Sequence, residues 1–437
     1  MNLSPPIPRW GRANEADLPT TKAIGPANRT PVRSRSGAVR RERHDADYVI
    51  LVVVVALSAI GILMVYSSSA LKGYLAEDDT FATVGPQILW AVLGIGAMLA
   101  VMRIDYRYLR LASVPMYVIA IGALALLFVP SLSIEVAGAT RWLKLGPLPA
   151  VHPAEFAKLA LIVYLAHWFA KRGTRIGGFW SGTVPFLIIV APIAGLVFIE
   201  PDLGTAGVIG LTAITMFFIA GANMIHLGVL LSTTLAAAAV FMRGYQMDRV
   251  RVWLDPWSDP LGAGYHTVQG LLALGVGGLL GTGLGESRVA VPNAFNDFIF
   301  AEIGQEFGFI GGLVVIGLFA VLAYSGVRIA LAAPDTFGAL LAAGITAWIC
   351  IQAIINIGVV VTLFPITGIT LPFISAGGSS LIISFAAIGI LLSISRETVE
   401  KGTWNNDADP DRGRRDGRTH LPGSRRGKVA SRPSGRA

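Results

Sequence analysis

The sequence predicts an all-α polytopic membrane protein with about ten transmembrane helices, and two observations lead to that fold class. Hydrophobic residues make up 54% of the 437-residue chain and charged residues only 14%, too few to cover a water-exposed surface along most of its length. Apolar runs of about 20 residues recur between Tyr48 and Ile394, and each is long enough to cross the hydrocarbon core of a bilayer as a helix.

The net charge of +8 lies in two polar tails. Residues 1–47 carry +4 and residues 396–437 carry +5, which leaves −1 for the chain between them. Positive charge confined to the termini indicates membrane topology rather than nucleic-acid binding, so no nucleic-acid partner is expected. Both tails are rich in Arg, Pro, Gly and Ser, and we predict that they are disordered and cytoplasmic.

The predicted membrane domain covers residues 48–395. Its ten spans are 48–70, 86–102, 111–129, 154–170, 183–200, 203–222, 225–242, 307–329, 338–362 and 378–395. An even number of spans places both tails on one side of the membrane. Arg103, Arg107 and Arg110 then fall on the cytoplasmic side, in agreement with the positive-inside rule.

Three segments between spans are candidates for a functional site, and all three lie on the extracytoplasmic side of this topology. They are Pro130–Pro153, the long loop 243–306 between the seventh and eighth spans, and Phe364–Ser380. A loop as long as 243–306 is unusual and is typical of functional segments. Within it, Tyr265–Leu284 is Gly-rich and mildly apolar, and we expect a re-entrant or interfacial helical segment packed against protein.

Ionisable groups near the ends of spans are candidate site residues because they are costly in a membrane. Glu155 and Lys158 share one helix face, where they form a self-neutralising pair or face a substrate. Arg141 and Lys144, just before them, are suited to an anionic substrate, or are solvated loop charges. Asp202 lies at a helix start, where capping is an alternative to a site role.

Asp297 stands out in the long loop, within the segment NDFIFAEIG. Its phenylalanine neighbours are expected to desolvate the carboxyl and raise its pKa towards that of a general base, although capping of the following helix is an alternative. Glu302 and Glu306 follow one turn apart, where they either tune Asp297 or bind a cation.

The last connection reads PITGITLPFISAGGSSL. Ser375, Gly377, Gly378 and Ser379 precede or begin a span, and backbone N–H groups at a helix N-terminus favour a phosphate. A tight helix-packing turn is the alternative interpretation of the same residues.

Several motifs occur in a fixed order: GATRWLKLG…HPAEFAKL, EPDLGTA, RVWLDPWSDPLGAGYHTVQ, GLLGTGLGES, NDFIFAEIGQEFGFIGG and PITGITLPFISAGGSSL. On a ten-span chain this order resembles the SEDS family of shape, elongation, division and sporulation proteins, over residues 47–397. The resemblance implies a peptidoglycan glycosyltransferase that polymerises lipid II at the outer face of the bacterial cytoplasmic membrane. The implied chemistry is inverting transfer with undecaprenyl pyrophosphate as the leaving group. The long tails and the divergent loop favour the division-type branch, acting at the septum.

The resemblance also implies roles for individual residues. Asp297 matches the essential aspartate of the family and is implied to be the general base. The other matched positions are implied to bind substrate: Arg141, Glu155, Lys158, Asp202, Arg249 and Glu306. The sequence departs from the family pattern at Asn293, Phe295, Asn296 and Gln305.

Partners and cofactors follow from the same resemblance. The expected partners are lipid II, a class B penicillin-binding protein transpeptidase and other divisome proteins. No cofactor is required by the resemblance, and a divalent cation, Mg²⁺ or Mn²⁺, is the one candidate. Two other functions remain: a lipid II flippase, which needs a polar path and sites on both faces, and a non-catalytic scaffold, for which the loop carboxylates would be dispensable.

Overall fold

A computed structural model describes residues 47–77, 84–136, 139–144, 150–241, 245–292 and 294–397. The tails predicted to be disordered fall almost wholly outside these residues, as does Asn293. Twelve α-helices occupy the described residues. They are α1 Tyr48–Glu77, α2 Val84–Arg103, α3 Tyr108–Leu126, α4 Pro153–Arg172, α5 Val184–Ile199, α6 Leu203–Ile219, α7 Met224–Phe241, α8 Tyr245–Leu254, α9 Tyr265–Gly277, α10 Ile299–Ala332, α11 Thr336–Val360 and α12 Gly378–Ser395.

The prediction of an all-α polytopic fold is confirmed. Each of the ten predicted spans coincides with one helix, and α8 and α9 are the two further helices, both within the predicted long loop. Within the described residues, seven helices are long and apolar enough to cross a membrane by length and composition alone. Of the other three helices at predicted spans, α6 has only 17 residues, and α4 carries charged residues in its first and last turns.

The centre of the bundle is formed by α4, α11 and α12, whose side chains are mostly buried. Small residues let neighbouring helices approach closely there, as is common between membrane helices. A Cβ atom added at Gly389 of α12 would lie 2.6 Å from the carbonyl oxygen of Met98 in α2. A Cβ atom added at Gly94 of α2 would lie 2.4 Å from the Phe385 ring. The α2–α12 contact therefore depends on these two glycines.

The eighth span was predicted to begin at residue 307; α10 begins earlier, at Ile299, and is broken at Gly308, one residue after the predicted start. Glu302 and Glu306, in the first two turns of α10, are both buried. A sharp kink follows at Gly308, whose φ of +66° is readily available only to glycine.

The backbone groups that the kink in α10 leaves unpaired form hydrogen bonds with the Gly-rich segment that follows α9. Phe309 N–H, freed by the kink, donates to the Gly278 carbonyl at 2.9 Å. The Gln305 and Glu306 carbonyls accept from the N–H groups of Thr282 and Gly283, at 2.9 and 3.1 Å. A broken membrane helix is stable only where protein supplies these missing hydrogen bonds. The backbone of this segment is thus held against α10, as predicted for a segment packed on protein, but its side chains Leu279 and Leu280 are exposed.

A short β-hairpin lies between α3 and α4 and was not predicted. Its strands, β1 Ser133–Val136 and β2 Ala139–Leu143, pair antiparallel, and Leu143 also bridges to Val151 just before α4. The hairpin carries Arg141 to the start of α4.

The described chain begins and ends at the same end of the bundle, where the ion pairs join elements that are distant in sequence. Arg107 pairs with Glu397, and Arg110 pairs with Asp335 at 2.8 Å. We call the opposite end, which holds the hairpin, α8, α9 and residues 364–377, the outer end. All the site residues proposed from the sequence lie there.

Candidate active site

The segments selected from the sequence meet at the outer end around residues 366–370 of the α11–α12 connection. Arg249 of α8 donates a hydrogen bond to the Ile366 carbonyl at 3.1 Å. Gly204, in the first turn of α6, packs directly against this connection: an added Cβ atom would be 2.7 Å from the Thr367 carbonyl oxygen. Residues 366–370 therefore join α6 to α8, and they also receive hydrogen bonds from α11.

Asp297 lies in a turn two residues before α10. The N-cap residue of α10 is Phe298 and has no side-chain capping hydrogen bond, so capping does not account for the aspartate. Burial raises the pKa of the Asp297 carboxyl, and a backbone hydrogen bond and the charges of His266 and Arg249 only partly oppose that rise. The raised pKa of Asp297 agrees with the expectation from its phenylalanine neighbours in the sequence. The carboxyl is thus partly desolvated and lies near two basic side chains from α9 and α8.

Asn356 of α11 holds the Asp297 backbone in place. Its amide Nδ2 donates to the Asp297 carbonyl at 2.8 Å and to the Ile369 carbonyl at 2.7 Å. Sequence reasoning missed this residue. Its signal was an amide in an otherwise apolar span, one turn after a second amide, Gln352.

Lys158 and Glu155 form the predicted pair in the first turns of α4, with Nζ and Oε2 2.9 Å apart. Lys158 is only 3% exposed, and its ammonium also donates to Gln352 Oε1 at 2.8 Å. Gln352 in turn donates to the Thr370 carbonyl at 3.0 Å, and its Oε1 accepts from Trp348 Nε1. The pair largely neutralises itself and ties α4 through α11 to residues 366–370.

Asp202 both caps α6 and faces two basic side chains. Its Oδ1 accepts from Thr205 N–H at 3.1 Å, which confirms the predicted capping role. Its Oδ2 lies 3.9 Å from Arg141 Nε and 3.7 Å from His152 Nε2. Arg141 also donates to the Pro201 carbonyl at 2.7 Å. Burial lowers the pKa of His152, so this contact joins a neutral imidazole to the carboxylate.

Glu200, between α5 and α6, is a further acidic residue at this cluster that sequence reasoning did not select. Its side chain is 1% exposed, and neither carboxyl oxygen has a hydrogen-bond partner among the described residues. Burial and the neighbouring Asp202 charge raise the pKa of Glu200 to about 8, although Arg141 opposes the rise. At neutral pH the carboxyl is therefore mainly protonated.

Glu306 and Glu302 have structural partners of their own. Ser67 of α1 donates to Glu306 Oε1 at 2.5 Å, Ser287 donates to it at 3.0 Å, and Gly285 N–H at 3.2 Å. The Ser287 hydroxyl also contacts Glu302. These bonds hold the segment after α9 against α10 and α1. Within the described residues, no group of three or more His, Cys, Asp or Glu side chains is placed to hold a metal ion.

The start of α12 is tightly packed. An added Cβ atom at Gly378 would lie 2.5 Å from the Trp90 ring of α2, so glycine is needed there. Gly377 is the N-cap residue with extended backbone, and Ser379 Oγ accepts from His152 N–H at 3.3 Å. The contacts thus match the packing-turn interpretation, and a role in phosphate binding stays a prediction.

Ser375 and Lys144 complete the predicted set. The Ser375 hydroxyl accepts from Leu371 N–H at 2.8 Å and closes a buried turn. Lys144 is exposed at the end of the hairpin, where its side chain is accessible to a ligand.

Comparisons with known proteins show which proteins this chain resembles. A family model for cell cycle proteins of the FtsW/RodA/SpoVE type matches residues 47–400. The chain is 42% identical to stage V sporulation protein E of Bacillus subtilis (strain 168) over 356 residues, 80% of this chain and 97% of that protein. It is 39% identical to a probable peptidoglycan glycosyltransferase FtsW of Trichlorobacter lovleyi over 354 residues, 80% of this chain and 93% of that protein.

Among solved structures, one chain of a peptidoglycan synthase complex, described as coordinating polymerization and crosslinking, aligns with a TM-score of 0.68. The alignment covers 80% of this chain and 98% of that chain at 29% identity. The family match spans all the helices described above, and the relatives are matched over nearly their whole length. The chain therefore belongs to the FtsW/RodA/SpoVE family, the SEDS family that its motifs resemble.

Proposed function

We propose that this protein is a peptidoglycan glycosyltransferase that polymerises lipid II into glycan strands at the outer face of the bacterial cytoplasmic membrane. The observation that carries the proposal is the Asp297 carboxyl, partly desolvated and close to the basic side chains of Arg249 and His266. The FtsW relative, named as a probable peptidoglycan glycosyltransferase, supports the same activity. The relationship to FtsW, together with the long tails, favours septal synthesis during cell division.

In the proposed reaction, Asp297 accepts the proton of a sugar hydroxyl as that oxygen attacks the anomeric carbon of a second lipid-linked sugar. The new C–O bond forms as the bond to the diphosphate oxygen breaks, with inversion at the anomeric carbon. The leaving undecaprenyl pyrophosphate takes the electron pair, and Arg249 and Arg141 stabilise its charge. Both lipid tails remain in the bilayer while the outer end aligns the sugars, which contributes to the rate by proximity.

The distribution of charge between the two ends supports an enzyme over a flippase. At the end where the described chain begins and ends, Arg107 pairs with Glu397, and Arg110 pairs with Asp335. At the outer end, in contrast, Glu200 has no hydrogen-bond partner among the described residues and Asp297 has a raised pKa. A flippase needs matched substrate sites on both faces. A non-catalytic scaffold does not require carboxyl groups with raised pKa values at this end.

We further propose that the protein works with a class B penicillin-binding protein, because the similar solved chain is part of a synthase that also crosslinks. Other divisome proteins are expected partners at the septum. A divalent cation, Mg²⁺ or Mn²⁺, would bind the substrate diphosphate with the help of one or two carboxylates at the outer end.

The test is polymerisation of lipid II by the protein and its transpeptidase partner in proteoliposomes. Asp297→Asn should lower kcat by about 10² to 10⁴-fold, the usual contribution of a general base. In the wild type, kcat/KM should fall as the pH drops through the raised pKa of Asp297, because only the carboxylate accepts a proton. Glu286→Gln, which neutralises an exposed carboxylate of the same loop, is the matched control and should retain activity.

Full activity in Asp297→Asn would remove the aspartate from the role of base. An inactive wild type that nevertheless moves lipid II across the bilayer would favour the flippase instead.

A further inference from the structure

Glu200 is a buried carboxyl beside the candidate active site that the proposed reaction does not use. Its side chain is 1% exposed, and both oxygens lack hydrogen-bond partners among the described residues. A buried carboxylate in that state would be strongly disfavoured, whereas a neutral carboxyl is tolerated. We propose that Glu200 is a positioning residue whose neutral form leaves the Arg141 guanidinium available to the diphosphate of a lipid-linked sugar. The proposal rests on the glycosyltransferase function proposed above.

The charged groups that act on Glu200 are Asp202, at the N-terminus of α6, and Arg141 of β2. Asp202 also faces His152, just before α4, which in turn feels the charges of Glu155 and Lys158 in α4. The α4 carboxylate and ammonium pair with each other, and burial keeps the imidazole neutral. One guanidinium and one aspartate carboxylate remain, and their charges cancel. A proton on Glu200 therefore keeps the cluster neutral, and loss of that proton makes its net charge −1.

Arg141 is the group through which Glu200 would act. Its side chain is 22% exposed, so it can reach a ligand at the outer end. It donates to the Pro201 carbonyl, while its buried Nε has no hydrogen-bond partner among the described residues and lies 3.9 Å from Asp202. A single carboxylate only balances this guanidinium. A second one, on Glu200, would hold it inward and repel an anionic ligand.

Ionisation of Glu200 should make the affinity for lipid II depend on pH. The pKa of Glu200 is raised to about 8, so the neutral form that admits the ligand predominates below that value and is lost above it. At about pH 9 roughly one tenth of the protein would keep the proton, and the apparent affinity falls in proportion to the competent fraction. KM for lipid II should therefore rise about tenfold between about pH 7 and about pH 9, with little change in kcat.

The experiment compares the wild type with Glu200→Gln over this pH range, in complex with the transpeptidase partner. Glutamine has the shape of the neutral acid and cannot ionise, so KM in this variant should stay near its wild-type neutral-pH value throughout. Glu286→Gln, at an exposed carboxylate, should follow the wild-type profile. Binding of undecaprenyl pyrophosphate in nanodiscs over the same pH range provides a readout without turnover.

A KM that is flat with pH in the wild type overturns the proposal without reference to any variant. A Glu200→Gln profile parallel to that of the wild type also overturns it. The proposed function fails separately, if the wild type polymerises no lipid II at any pH. In that case the Glu200 proposal is still decided, by whether undecaprenyl pyrophosphate binding weakens at high pH in the wild type alone.

Discussion

Asn356→Leu should remove the hydrogen bond that holds the Asp297 backbone against α11, without leaving a cavity in the core. Leucine has the same branching and the same number of side-chain heavy atoms as asparagine, so it leaves no cavity in α11, but it cannot donate a hydrogen bond. In the wild type, one amide nitrogen donates to the Asp297 carbonyl at 2.8 Å and to the Ile369 carbonyl at 2.7 Å. The change therefore removes both hydrogen bonds and leaves two carbonyl oxygens without this donor.

The magnitude follows from these two contacts. A hydrogen bond contributes about 1 kcal/mol net, and a buried group left unpaired costs about 1–3 kcal/mol. Measured values within membrane proteins are smaller, about 0.6 kcal/mol on average. We expect the free energy of unfolding to fall by about 2 kcal/mol. The effect on catalysis should be larger, because a displacement of about 1 Å can cost about 10²-fold in rate.

The assay is lipid II polymerisation in proteoliposomes, with thermal unfolding of the same preparations. The expected result is a fall in kcat of about 10- to 100-fold with KM within about threefold of the wild type, since Asn356 acts through Asp297. Thr346→Val is the matched control: it lies on the same helix, and its hydroxyl bonds to the Ala342 carbonyl within α11. Wild-type kcat in Asn356→Leu would refute the idea that this amide positions the base.

Two further predictions concern the buried ion pair and the topology. Lys158→Met should lower the free energy of unfolding by about 3–5 kcal/mol because Glu155 is left buried without its partner. Adding Glu155→Gln should recover much of that loss, as thermal unfolding would show, and an equally unstable double variant would contradict a charge-pair explanation. Glu286→Cys, in a Cys350→Ala background, should react with a membrane-impermeant maleimide only from the face opposite the termini. Labelling from the same face as the termini would invalidate the topology.

The helices were readable from the sequence because a membrane span is a local property. A run of about 20 apolar residues must form a helix to satisfy its backbone, whatever it packs against. The first two turns of α10, before the break at Gly308, lay outside the predicted span for the converse reason. Glu302 and Glu306 look like loop residues until Ser287, 15 and 19 positions away along the chain, is seen to bond with both.

The site was only partly readable. The setting of Asp297 among phenylalanines indicated desolvation, and the position of Asp202 at a helix start indicated its capping bond. Asn356 and Gln352 stood out as amides within an apolar span, but their role became clear only once their partners at residues 297, 369 and 370 were known. The burial of Glu200 likewise depends on how the α5–α6 turn packs at the outer end.

Composition and the spacing of apolar runs alone therefore determined a many-spanning helical protein, and the ordered motifs determined its family. The tertiary structure decided which polar groups meet: residues 366–370 lie more than 100 positions from Arg249 along the chain, yet Arg249 donates to the Ile366 carbonyl. The hydropathy of a span depends only on its own consecutive residues, so it can be read from the sequence. Hydrogen bonds and charge balance at the outer end form only when distant helices pack together.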